Sequence, residues 1–383
     1  MITGLRRVAV ATVIAVGMSG GVFVSDVGAA VPKVSVVASG LNNPRGVTFA
    51  HGRLYVAEAG TGGSDCPAGA KGPTGGPLCV GRTGALAVLS DGVADPVLTG
   101  LLSLSDLPGG VAAEGIADVT GAARGVRVIY GESVVGLLSS LPHGAALTRA
   151  DNAAARHQLG QLVSLIGGRQ AVLADVGGSD FAWAAVHQNL VPDQFPDANP
   201  NALVRVGRMT YVVDAASNTL DGVDQHGGVR QLAFFPNPRA SDSVPTCVAA
   251  GPGGNLYIGE LAPGAALNAG VIYRYKIATH RLSVWKRGFN VVDGCGFDRA
   301  GNFYAVEFQA HGFDPGPTGN PAGDIIEIAR NGKRTVLGAG RLFFPQGFAT
   351  DSHGNVYVSN WSILTGTPAK PGAPTGQVVR LSH

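Results

Sequence analysis

Six times along the chain a turn residue leads into a hydrophobic or tyrosine-bearing run that ends on an acid or its amide. The copies are Gly52-Arg-Leu-Tyr-Val-Ala-Glu58, Gly125-Val-Arg-Val-Ile-Tyr-Gly-Glu132, Arg208-Met-Thr-Tyr-Val-Val-Asp214, Gly254-Asn-Leu-Tyr-Ile-Gly-Glu260, Gly301-Asn-Phe-Tyr-Ala-Val-Glu307 and Gly354-Asn-Val-Tyr-Val-Ser-Asn360. The runs are rich in Val, Ile and Tyr, side chains that suit pleated, half-buried strands. A unit recurring roughly every 45–80 residues marks a repeat architecture.

Each repeat reads as four short strands, a to d. In the fourth they are Val244–Gly251, Asn255–Glu260, Gly270–Tyr275 and Leu282–Gly288, with Pro252-Gly-Gly254 turning a into b. The fifth repeats this with Cys295–Asp298, Asn302–Glu307, Asp324–Ile328 and Thr335–Leu337. Four-stranded antiparallel units arrayed around an axis make an all-β, six-bladed β-propeller. The sixth copy has Gln346–Thr350, Asn355–Asn360 and Gln377–Leu381 but no strand d before His383. Lys33–Ser39 reads as that missing strand, so the N-terminal strand completes the last blade and closes the ring without a free edge. The continuity of the repeats favours one domain over 31–383 rather than two β-domains.

Composition supports this reading. The chain has 58 Gly among 383 residues, about twice the usual share of ~7%, as many tight turns require. The net charge is +2 and no basic patch interleaves with aromatics, so a nucleic-acid partner is not expected. The ligand or extracellular partner is not identified by the pattern, and a monomer is expected. Residues 1–30 read as a secretory signal: Arg6-Arg7, the apolar Val8–Val16, then small residues around Val27–Ala30. A retained anchor is disfavoured, because the uncharged run from Val8 to Phe23 is shorter than the ~20 residues a span needs and contains glycines. A secreted or extracytoplasmic location follows.

Cysteine usage fits that compartment. Cys66 and Cys79 share the Gly/Pro-rich b–c loop Gly60–Gly81, which a short disulfide would confine. A metal site is the alternative there, but no His or second Cys pair is near in sequence. Cys247 and Cys295 occupy matching positions in the innermost strands of adjacent blades, where blades one and six have Gly46 and Gly347. This points to an inter-blade disulfide; two buried free thiols are the alternative.

The candidate chemistry gathers on one face. The repeat-terminal residues Glu58, Glu132, Asp214, Glu260, Glu307 and Asn360 all end strand b, and Arg45, Glu114, Asp293 and Gln346 begin strand a beside them. Long b–c inserts, Gly60–Gly81, Ser133–Gln158, Phe308–Ala322 and Trp361–Pro374, emerge there too, and loops on a rigid scaffold commonly carry function. Ala153–Gln161 within these inserts is helix-compatible and reads as a cap. Two readings of the acids stand. Glu58, Asp214, Glu260, Glu307 and Asn360 could converge on a hard cation such as Ca²⁺, which takes carboxylate and amide oxygens. Alternatively each anchors the backbone of its own b–c loop. Arg45, Glu114, Glu132, Asp293 and Gln346 are the candidate ligand-binding residues. Nucleophilic catalysis has little support: there is no Gly-x-Ser-x-Gly elbow, and His311 alone lies close behind a ring acid as a candidate general base.

The segments Gly40-Leu-Asn-Asn-Pro-Arg-Gly46, Tyr211-Val-Val-Asp-Ala-Ala-Ser-Asn-Thr-Leu220 and Pro245-Thr-Cys-Val-Ala-Ala-Gly-Pro-Gly-Gly254, with the two-cysteine loop, resemble secreted ScyD/ScyE-type proteins. The resemblance spans essentially the whole chain after the signal. It implies a secreted six-bladed propeller acting as a binding or interaction module, without an established reaction. The cysteines at 247 and 295 depart from the small or aliphatic residues of that family. A more distant similarity is to calcium-dependent lactonases of the gluconolactonase type and to streptogramin lyases. The lactonase pattern implies a metal site of Glu58, Asn360 and Asp214. The lyase pattern requires a channel histidine, and no strand a carries one near its start. The alternative function is therefore a metal-dependent lactonase or lyase-like enzyme working at the channel mouth.

Overall fold

The structure, a computed structural model, describes residues 32–72, 75–190, 196–237, 242–314 and 319–382. The expected signal segment lies outside these. Six four-stranded antiparallel sheets follow one another. Blade one comprises Pro44–Ala50, Arg53–Glu58, Cys79–Ser90 and Val93–Ser105; blade two Ile116–Gly121, Val126–Tyr130, Gln161–Ile166 and Arg169–Asp175. Blade three comprises Pro200–Val206, Met209–Asp214, Thr219–Val223 and Val229–Phe234; blade four Pro245–Gly251, Asn255–Glu260, Gly270–Lys276 and Arg281–Phe289. Blade five comprises Val291–Phe297, Phe303–Gln309, Ala322–Ile328 and Arg334–Phe343. Blade six has Gln346–Thr350, Val356–Asn360 and Gly376–Ser382, and its fourth strand is Lys33–Leu41. Each innermost strand contacts the next, and the sixth contacts the first. The fold is the expected six-bladed propeller, closed by pairing of Lys33 with Ser382 through Leu41 with Gly376.

The repeated Gly-Asn-x-Tyr signal has a physical origin. In blade five, Asp298 accepts the backbone N–H and side-chain amide of Asn302 and the hydroxyl of Tyr304. In blade six, Asp351 does the same for Asn355 and Tyr357. The acid before the turn and the tyrosine after it thus clamp the a–b hairpin. Blade four has Gly251 at the corresponding place, and Asn255 donates to the Pro252 carbonyl instead. Between blades, apolar faces pack in layers. Tyr257, Trp285, Phe297 and Phe303 form one edge-to-face group, with centroids 4.8–5.2 Å apart for four of its pairs. Such pairs contribute about 0.5–1.5 kcal/mol each beyond area burial.

The inserts depart from the sequence expectation. The Ser133–Gln158 insert forms two helices, α1 (Val134–Ser140) and α2 (Arg149–Gln158). The expected helix at Ala153–Gln161 starts earlier, because Thr148 caps it by accepting from the Asp151 N–H, and it ends earlier, because Gln161 already belongs to a strand. A third helix, α3 (Val176–Val186), joins blades two and three. The b–c loop of blade one is not held by its disulfide alone. Ala70 and Leu78 bury against Leu102, Leu137, Leu147, Ala155 and Leu159, a satellite core shared with α1 and α2. Both expected disulfides are present, Cys66–Cys79 and Cys247–Cys295, with no free cysteine among the described residues. They are compatible with an extracellular location. No helix among the described residues is long and apolar enough to cross a membrane.

Candidate functional site

Strand register sets the site. Pro44 pairs with Glu58, Pro200 with Asp214, Pro245 with Glu260 and Val292 with Glu307, so the ends of b and the starts of a share one face. The acids there serve chiefly the residue that enters strand a. Glu58 accepts the Asn42 N–H at 2.8 Å, Glu307 the Asn290 N–H at 2.8 Å, and Asn360 Oδ1 the Phe343 N–H at 2.6 Å. Glu260 takes the Ser243 hydroxyl and the Val271 N–H. Asp214 Oδ1 takes three backbone N–H groups, from Asn199, Ala216 and Ser217. The anchoring is therefore local, but it reaches mainly the d–a connection rather than the b–c loop. Of these five residues only Asp214 retains a buried oxygen, Oδ2, without a partner. Among the described residues no three His, Cys, Asp or Glu form a group able to hold a metal ion.

The acids differ in electrostatics. Burial raises the Glu260 carboxyl to about 7, against the lowering effect of its donors. Burial raises Asp324 likewise to about 7, and the charge of Glu307, its cross-strand partner, adds to this. Glu132 is pushed well up, first by burial and then by Glu114, which is within hydrogen-bonding reach, with Asp197 and Asp214 adding like charge. Glu114 and Glu132 thus form an acid pair beside the Ile116–Tyr130 end of blade two. They do not line the channel cavity. Glu114 precedes its strand, bridging Leu104 through its backbone.

Three predicted ligand residues do come together. Arg45 donates to the Ala113 carbonyl at 2.6 Å and to Gln346 Oε1 at 3.2 Å, and the Gln346 amide donates to Asp293. This chain runs from the start of blade one to blades six and five. It opens on a cavity of about 280 Å³ along the central channel. Asn201, Thr246, Asp118 and the Cys247–Cys295 bridge also line it. Burial raises Asp293 to about 6, opposed by the Gln346 hydrogen bond and the Arg45 charge. Asp118 is raised to about 7 by burial, although the Leu203 and Val119 N–H groups both bind it. A Cβ at Gly46 would collide with this carboxylate, so the glycine there has a packing reason. A larger groove of about 440 Å³, lined by Tyr211, Tyr275 and His280, holds none of the predicted site residues.

Sequence reasoning missed Asp118, Asp180, Asp197 and Asp221. Asp118 sits mid-strand with no motif around it. Asp180 on α3 and Asp221 on blade three meet only through tertiary packing. It also missed Asn43, fully buried, which donates to the Gly60 and Gly110 carbonyls and accepts from the Ala113 N–H. The Asn-Asn-Pro-Arg segment was the available signal.

Neither a protein-family model nor a curated protein matches the chain. Solved structures do. A protein of unknown function from Bacteroides thetaiotaomicron is 9% identical, with a TM-score of 0.54 over 92% of this chain and 76% of that one. Virginiamycin B lyase from Staphylococcus aureus is 11% identical, with a TM-score of 0.44 over 86% and 83%. A luciferin-regenerating enzyme is 10% identical, with a TM-score of 0.48 over 92% and 95%. At these identities the likeness extends to the fold alone.

Proposed function

We propose that this protein is a secreted, ScyD/ScyE-like binding propeller that takes up a small polar molecule at its channel mouth. The observation carrying this is the Arg45–Gln346–Asp293 chain at the edge of the channel cavity. A guanidinium and a carboxyl linked through an amide offer donors and acceptors side by side, suited to a ligand bearing both hydroxyl and carboxylate groups. The test is a thermal-shift panel of sugars, sugar acids and amino acids. At least one class should raise the melting temperature, and Arg45→Ala should abolish the response. A panel without any Arg45-dependent shift overturns the reading. The alternative, a metal-dependent lactonase or lyase-like enzyme, draws on the orphaned Oδ2 of Asp214. A Ca²⁺ arm separates the two: a Ca²⁺-dependent rise that Asp214→Asn abolishes favours the enzyme.

A further inference from the structure

The seam between blades two and three has acids at one end and two arginines at the other. Arg127 lies near the start of strand b in blade two, and Arg205 near the end of strand a in blade three. Thr210 joins them. It is the direct cross-strand partner of Arg205, and its hydroxyl accepts from Arg127 Nη1. Directly opposed residues on one sheet face stand about 4.5–5.5 Å apart at Cβ, so the two guanidiniums are neighbours. Arg127 responds to this: burial lowers its pKa, and the charge of Arg205 lowers it further.

Neither cation is neutralised. Among the described residues no carboxylate makes a salt bridge to either arginine. Arg205 Nε is buried and has no hydrogen-bond partner. A layer of Ile129, Leu162, Leu203, Val212 and Val223 separates this end from Asp214. Both arginines are half-buried, whereas Thr210 is fully buried. Water could satisfy the free N–H groups but would leave two like charges together. An anion does both.

We propose that Arg127, Arg205 and Thr210 form a binding site for a small oxyanion, of phosphate, sulfate or carboxylate type. Guanidinium forks match such oxygens in pairs and give strong charge-assisted hydrogen bonds. The Thr210 hydroxyl, which accepts from Arg127, has its own hydrogen to donate. The site is separate from the channel mouth, on the side of the blades where strand a ends and strand b begins.

The experiment follows melting temperature and heat of binding for the full chain. Inorganic phosphate, sulfate and acetate are titrated at constant ionic strength against chloride. At least one should give a saturable rise, and the tightest of the three identifies the head group. Arg205→Ala should weaken that binding by at least about tenfold, and Arg205→Lys, which keeps the charge but loses the fork, by less. In chloride buffer without added oxyanion, Arg205→Ala should melt no lower than the unsubstituted protein, because it removes like-charge repulsion. A rise that never saturates, or one unchanged in Arg205→Ala, overturns the site. So does an Arg205→Ala protein that melts several degrees lower without added oxyanion, since the arginine would then be a packing element.

Discussion

Blades five and six and the seam between blades two and three treat their acids in opposite ways. In blade six both oxygens of Asp351 are saturated: Oδ1 takes the His353 and Asn355 N–H groups, and Oδ2 takes the Asn355 amide and the Tyr357 hydroxyl. Burial pushes its carboxyl up, but those donors outweigh it and hold it below the ordinary value. At the seam, Asp180, Asp214 and Asp221 are fully buried, and each keeps one oxygen without a donor. Burial pushes all three up, and for Asp180 and Asp221 the like charge of Asp214 adds to it. Where the repeat is regular, the acid is a hairpin clamp. Where α3 is inserted, the acids face one another and must share protons.

The comparison can be broken most severely through the disulfides. Cys247–Cys295 ties blades four and five across a sequence separation of 48, whereas Cys66–Cys79 spans 13 within a loop that has its own satellite core. Replacing both Cys247 and Cys295 with Ala should lower stability by roughly 2–5 kcal/mol, and replacing Cys66 and Cys79 by less. Denaturant midpoints of the two variants check the order; an equal loss would mean that the loop is as structural as the ring.

Asp351→Ala should cost about 2–3 kcal/mol, because it strips partners from four donors. A folded-state pKa below the unfolded one contributes stability present above the unfolded pKa and lost as pH falls through the folded value. The deficit of this variant, read from urea unfolding, should therefore shrink below about pH 4. A deficit that is flat with pH would show that the clamp acts through shape alone.

Asp221→Asn should act in the other direction and more weakly. Asp221 Oδ2 accepts from Thr219, while the carboxyls of Asp180 and Asp221 lie within hydrogen-bonding reach. An amide can keep the first bond and donate to Asp180. A folded pKa above the unfolded one favours the fold at low pH, and this is lost as pH rises through the folded value. Asp221→Asn in chelator-containing buffer should gain about 1–2 kcal/mol at pH 7 and nothing at pH 4. A loss at pH 7 would mean that the seam acids are already compensated.

The same division separates what was legible in the sequence from what was not. The repeated hairpins, the closing strand and the matched cysteines are local or periodic signals, so the pattern exposed them; the Asp298 and Asp351 clamps within those hairpins were not read from it. Helix α3 starts at Val176-Gly177-Gly178 and has no polar face; it stands on the Asp175 cap and on packing. Nothing local announces it. The acid ring was visible as a set, but its hydrogen-bond partners were not, since a carboxylate can bond either neighbouring connection. Arg45, Asp293 and Gln346 were found by position alone. Asp180 and Asp221 could not be paired before the chain was folded.

The pairing of Lys33–Leu41 with Gly376–Ser382 has a kinetic meaning as well. During synthesis the first described strand leaves the ribosome long before its partner exists. Until residues 376–382 arrive, blade six lacks its third strand, and the ring cannot complete. Loop-closure entropy for so distant a pair must be met before any contact repays it. The propeller therefore commits to its native ring only once residues 376–382 have been made, and its slowest folding step is expected to be their pairing with Lys33–Leu41.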